Sequence, residues 1–193
     1  MQLFVLTGWR VNKMWEDIYK CPACDNAEGV PPHNPSKSKI LIVGDFPEGD
    51  DITQGIPFRS RIGTVLQNYL SKMGYSLSQF GLCNLWQHAP DKVLKNKPVY
   101  NNPDCLEHGK KVVIEEAKKK KLILLIGSNV SKVFLTKNSM EMSSLKVNEH
   151  LKIQLSAPTV LAMVKPSIVF GGTHGEVELA LKKFIKQVEK IHE

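Results

Sequence analysis

Four acids, one aromatic ring and one amide stand where a pocket can form. Asp45, Glu48, Asp50 and Asp51 crowd a segment that begins Gly44-Asp45-Phe46-Pro47-Glu48 and ends Gly55-Ile56-Pro57-Phe58. A carboxylate can orient water, take a proton or stabilise a cationic transition state. Asp45 directly follows the apolar run Ile40-Leu41-Ile42-Val43, and Asp51 lies six residues on, past glycine and proline. Asp50 and Asp51 also read as solvated loop acids or as caps of the next element. Phe58 can stack on a flat heterocycle or plug a core. Asn84 closes a second apolar run. Its amide accepts at one end and donates at the other, which suits the edge of a pyrimidine or the cap of a strand.

A second set of residues points to a metal. Cys21-Pro22-Ala23-Cys24 has the spacing of a metal clip. With four cysteines in a chain expected to stay reduced, ligands or core thiols are better readings than disulfides. Lys92, Lys95 and Lys97 lie in a polar stretch after Asn84 and can contact phosphates. Lys118 to Lys121 reads as a solvated helix end, favoured there by the helix dipole.

The elements that must position these groups follow from periodicity. Apolar runs at 40–43, 80–86, 122–126 and 160–164 predict buried strands, with a shorter one at 153–155. Helical spacing predicts helices at 9–20, at 62–73 with Gly74 as its stop, at 104–120, at 127–135 and at 176–191. The carboxylate segment, 87–102 and 136–150 read as loops. Strands alternating with helices predict an α/β fold of three layers, α/β/α, around a central, mainly parallel four-stranded sheet. In such sheets ligands bind at the carboxyl ends of the strands, where Asp45 and Asn84 fall.

Composition sets the outer bounds. The chain has 193 residues, 42% hydrophobic and 23% charged, which predicts one domain over 1–193 with a substantial core. Residues 1–38 form its N-terminal helix and metal-clip segment. A net charge of +7 favours an anionic partner such as nucleic acid. No apolar run approaches the ~18 residues of a membrane span. Met1 to Thr7 is apolar but short and lacks a basic leader. The expectation is an intracellular protein, cytoplasmic or nucleoid-associated, acting as a monomer.

Taken in order, these motifs resemble the uracil-DNA glycosylase superfamily, nearest to its family 4, the iron–sulfur class. That family carries G-E-A-P-G, then Glu, then G-x-P-F; this chain has Gly44-Asp45-Phe46-Pro47-Glu48, Asp51 and Gly55-Ile56-Pro57-Phe58. An Asn ending the next strand is matched by Asn84. An apolar strand leading to a glycine and a helix is matched by Leu122 to Ser128. The family's H-P-S/A motif appears as Lys165-Pro166-Ser167. The resemblance spans about residues 21–190.

It implies a glycosylase that flips uracil, or a related 5-substituted pyrimidine, out of DNA and hydrolyses its N-glycosidic bond. Asp45 and Asp51 would support water attack. Phe58 would stack on the base, Asn84 would read its edge, and the backbone at Gly44 would help hold it. Lys165 would meet the base O2, Ser167 a backbone phosphate, and Phe170 would wedge into the minor groove or serve as a packed loop anchor. Asp45 is one methylene shorter than the family's Glu. Lys165 replaces its His: an ammonium can donate to O2, an amine can attack the sugar carbon, or the exchange marks a relative weakened or repurposed for binding. The family's cluster positions fall on Cys21, Cys24, His88 and Cys105. That Cys3His set suits a [4Fe-4S] cluster or zinc, with Cys83 and His108 as competitors for the place of His88.

Overall fold

A computed structural model of the chain describes residues 21, 29–94, 97–136, 151–153, 155–157, 159–166 and 174–192. The expected helix at 9–20, the 137–150 stretch, and the site candidates Cys24, Lys95, Ser167 and Phe170 lie outside these residues.

Four short, largely apolar runs become strands because nearly all their residues are buried, on both faces. They are β1 (Ile40–Gly44), β2 (Gly81–Asn84), β5 (Leu122–Ile126) and β6 (Thr159–Met163). They lie in the order β2-β1-β5-β6, and all three pairings are parallel. Side chains alternate across the sheet and divide the core in two. Ile40, Ile42, Leu122 and Leu124 meet Leu66 and Leu70 of α2 (Arg61–Lys72) and Leu181, Phe184 and Val188 of α5 (His174–His192). Leu41, Val43, Ile123 and Leu125 meet Val112 and Val113 of α3 (Asp104–Ala117) and Val130 and Phe134 of α4 (Ser128–Phe134). The result is a three-layer α/β/α sandwich. Among the described residues, no helix is long and apolar enough to cross a membrane.

Three expectations need correction. The carboxylate segment is not all loop: Gly49–Gln54 forms a short helix, α1, ended by Gly55 in the left-handed region at φ 63°. Its first turn is held by the Asp51 carboxylate, which accepts the Glu48 N–H at 3.0 Å. The 87–102 stretch is likewise not all loop. It contains an antiparallel ribbon, β3 (Lys92–Leu94) and β4 (Lys97–Val99). Finally, residues 153 and 155 are in no strand; instead Leu151 makes an isolated bridge with Leu135.

A parallel sheet puts all its strand ends with the same polarity on one edge. Asp45 follows β1, Asn84 ends β2, Gly127 follows β5 and Lys165 lies two residues past β6. Beyond the last strand residues, β1 and β2 stay side by side: Leu85 N–H donates to Gly44 O at 2.8 Å and Trp86 N–H to Asp45 O at 2.9 Å. The polar groups of the two strand ends are therefore fixed to one another by backbone bonds.

Candidate active site

Gly44 and Asn84 are register partners on β1 and β2. A Cβ on Gly44 would lie 2.7 Å from Asn84 Oδ1 and 2.9 Å from Phe58 Cζ. Glycine thus makes the room in which the amide and the ring meet. The Asn84 carbonyl is clamped by Gln87 Nε2 at 2.6 Å, and the Cys83 thiol also donates to it at 3.3 Å. The side-chain amide is buried, and its Nδ2 donor has no hydrogen-bond partner. An unpaired buried donor is costly, so its retention points to a ligand acceptor.

Phe58 reaches this place through a strained turn. Its φ of 62° is in the left-handed region, rare for a residue with a bulky side chain. The buried Asp51 holds the turn: one carboxylate oxygen accepts the Arg59 N–H and the Ser60 N–H, and the other accepts Glu48 N–H. Ser60 Oγ closes the link by donating to Glu48 O at 2.7 Å. Gly63 of α2 completes the arrangement, since a Cβ there would fall 1.8 Å from Phe58 O. These observed bonds of Asp51 are to backbone donors that shape the wall.

Asp45 is bound differently. Its side chain is 1% exposed, and Oδ1 accepts the Val130 N–H of α4 at 2.9 Å. Oδ2 accepts Asn129 Nδ2 at 3.0 Å and pairs with Lys165 Nζ at 2.6 Å. The Lys165 side chain, 21% exposed, also places Nζ 4.9 Å from the centre of the Phe46 ring. Gly127 makes space for it. Its φ is 106°, and a Cβ there would sit 3.0 Å from Lys165 Cγ and Cε and 3.2 Å from Asp45 Oδ2.

Gly44, Asp45, Asp51, Phe58, Asn84 and Lys165 line one cavity, together with Phe46, Glu48 and Ile126. Its free volume is about 20 Å³, room for one water but not for a pyrimidine ring. One wall is a ring; the facing polar groups are an amide donor and a carboxylate–ammonium pair. The chemistry available is stacking, edge reading and stabilisation of opposite charges as they separate. Lys92, by contrast, is exposed on the β3–β4 ribbon and does not line the cavity.

A second polar group lies between the end of β2 and α3. Cys21, Cys105 and His88 bring ligand atoms within 4.8 Å of one another. His88 Nδ1 lies 2.9 Å from Ala89 O; a carbonyl only accepts, so Nδ1 carries the proton. Nε2 is buried and without a partner. Of the competitors, Cys83 is fully buried and turned to its own strand end, with its thiol pushed up by burial first and by Glu116 second. Three of the four expected ligands therefore meet, and the fourth, Cys24, is outside the described residues.

Sequence reasoning missed Gly63, Ser60, Asn129 and Gln87. Gly63 carried a signal, a glycine inside a good helix pattern, which often marks close backbone approach. Asn129 and Gln87 act only once distant segments are assembled.

Fold and cavity define a class: an α/β/α protein with a polar pocket at the carboxyl ends of its parallel strands. The family model described as the Uracil DNA glycosylase superfamily matches residues 31–189. The chain belongs to that superfamily. Membership points to a DNA glycosylase, a hydrolase of DNA repair that takes DNA as substrate. None of the curated proteins matches the chain.

Proposed function

We propose that this protein excises uracil, or a related 5-substituted pyrimidine, from DNA by hydrolysing the N-glycosidic bond, and that it does so as a monomer inside the cell. The observation that carries the reading is the unpartnered, buried Asn84 Nδ2 in a cavity that also holds the Phe58 ring and the Asp45–Lys165 pair. A pyrimidine carbonyl supplies the acceptor that this donor lacks.

The target base must leave the duplex stack before its bond can be reached. In the cavity Phe58 covers one face of the base and Asn84 bonds its edge. As the bond breaks, the sugar becomes cationic and the base gathers negative charge at O2. Lys165 donates to that oxygen; Asp45, fixed by Val130 and Asn129, holds Lys165 in place and opposes the sugar charge. Water then bonds to the cationic sugar carbon and gives up a proton that the departing base anion takes, leaving free base and an abasic sugar. Asp51 acts by positioning Phe58 rather than by touching the water. Gly44 leaves the base room, Lys92 and Lys95 contact phosphates, Ser167 binds a phosphate and Phe170 fills the gap in the stack. The metal centre of Cys21, Cys24, His88 and Cys105 acts as scaffold, fastening the N-terminal segment beside the end of β2.

A second reading has its own support. Both Asp45 oxygens already have donors, which suits a relative that binds DNA without hydrolysing it. One assay separates the two: release of free uracil from single- and double-stranded uracil-DNA by the purified protein. The proposal expects release that is lost in Asp45→Asn and Phe58→Ala. Absence of release with intact DNA binding supports the second reading instead.

A further inference from the structure

Phe58 and Gly63 line a second cavity as well as the first. It lies between α2, residues 76–78 and Leu82 of β2, and its free volume is about 230 Å³ against about 20 Å³ for the first. Its walls are braced. Gln67 of α2 ties down the facing wall: its Oε1 accepts the Leu77 N–H at 2.9 Å and the Ser76 hydroxyl at 3.3 Å. His33 is fastened to β2, because its N–H donates to Leu82 O and its carbonyl accepts the Leu82 N–H, both at 2.8 Å. The Arg59 N–H is held by the Asp51 carboxylate. Phe58, Leu77 and Leu82 are buried and give the cavity an apolar lining.

The side-chain ends, by contrast, are unbonded. Among the described residues, the Arg59 guanidinium, the His33 ring and the Asn68 amide make no hydrogen bond and no ion pair. No acid lines the cavity. Burial first, and the Arg59 charge second, hold the His33 imidazole below its ordinary 6.5. The ring is therefore neutral near pH 7 and keeps one N–H to donate. A guanidinium offers five donors in a flat fork that fits a phosphate. One fixed cation, a ring donor, an amide and an apolar lining together match a nucleotide, which is an anion on a flat, partly apolar body.

We propose that this cavity holds the nucleotide next to the target on the same DNA strand, with its phosphate on Arg59 and His33. This rests on the reading that the target base enters the first cavity. Arg59 directly follows Phe58, so a strand with one base against that ring brings a neighbouring phosphate to the guanidinium. A free nucleotide carries the same chemistry, and the test separates the two sources.

The test is binding of single-stranded DNA, followed by fluorescence anisotropy. The strand carries one deoxyuridine with fluorine at C2′, which opposes a positive sugar and keeps the strand intact. The phosphates on either side of it are replaced, one at a time, by a neutral methylphosphonate. At one position the neutral group should weaken wild-type binding about tenfold but Arg59→Ala binding by less than about twofold, as for one hydrogen bond to a charged group. Arg59→Ala should also lower the slope of log K against log salt by about 0.7, the share of one phosphate in a single strand. Arg59→Lys should keep the slope and lose part of the affinity. Lys190→Ala, exposed on α5 and lining neither cavity, removes the same charge and should show no coupling. Arg59 is exposed, and alanine keeps the N–H that Asp51 binds, so the variant should fold. Equal losses in wild type and Arg59→Ala at both positions overturn the proposal. So does binding of thymidine monophosphate that needs Arg59 when the strand shows no coupling. Failure of the base-site reading looks different: no preference for the uracil strand over one with cytosine in its place, and no uracil release from the unfluorinated strand.

Discussion

Replacing Gly44 with alanine tests the pocket with a single methyl group. Gly44 is not at positive φ, so alanine meets no backbone objection. What it meets is Asn84 Oδ1 at 2.7 Å and Phe58 Cζ at 2.9 Å, about 0.7 and 0.5 Å inside ordinary contact. Both contacts are side-chain ends, so the amide and the ring must turn aside on backbone that stays put. The backbone of Asn84 is clamped by Gln87 and Leu85, and Phe58 sits on a turn bolted to Asp51. Overpacking of this size costs about 1–3 kcal/mol of stability, and each kcal/mol lowers the Tm by about 2–4 °C in a chain of this length. The larger effect falls on function. A misplacement approaching 1 Å of groups that hold the substrate can lower the rate about 100-fold, or about 2.7 kcal/mol of barrier. The assay is single-turnover release of uracil from single-stranded DNA, with Gly49→Ala as control, because nothing lies within 4 Å of a Cβ there. A folded Gly44→Ala protein that works within threefold of wild type would refute the assignment of Asn84 and Phe58 to one base site.

Lys165→Ala removes the O2 donor and should lower uracil release by about 10²–10³-fold, the usual loss for one donor to a developing anion, with Lys165→Arg retaining part of it; equal rates for all three would sink the role. Gly63→Ala should destabilise strongly, since its Cβ would lie 1.8 Å from the Phe58 carbonyl; an unchanged Tm would show that α2 does not press on the turn. Cys83 gives a pH signature. Burial, then nearby Glu116, raises its thiol above the ordinary 9.0, so the folded state keeps a proton that the unfolded chain releases. Its contribution to stability is whole below pH 9.0 and shrinks as pH rises beyond it. The Tm difference between wild type and Cys83→Ala should therefore be constant to that pH and change in favour of the variant above it.

Much of this architecture was legible because its signals are local. Ile40–Val43 and Leu122–Ile126 are uninterrupted apolar runs, and only a strand buried on both faces uses such a run fully. Asp45, Phe58, Asn84 and Lys165 share a cavity because parallel strands deliver their ends to one edge. What escaped sequence reading depends on assembly. The α1 helix contains glycine and two aspartates and forms around an Asp51 carboxylate whose other bonds go to Arg59 and Ser60. The β3–β4 ribbon is rich in lysine, carries Pro98 and shows no apolar alternation. The Asp45–Lys165 pair joins loops from β1 and β6, which β5 separates in the sheet.

The bonding of Asp51 also decides from which side the cavity can be enlarged. Three backbone N–H groups and the Ser60 hydroxyl make the Phe58 wall a rigid splint, and the sheet fixes the Asn84 wall. Among the described residues, the Lys165–Phe46 side is the one made of side chains that can swing about their own torsions. Enlarging the cavity on that side by rotamer change requires Lys165 to leave its 2.6 Å pairing with Asp45. An arriving base would therefore have to compete with the Asp45 carboxylate for the Lys165 ammonium.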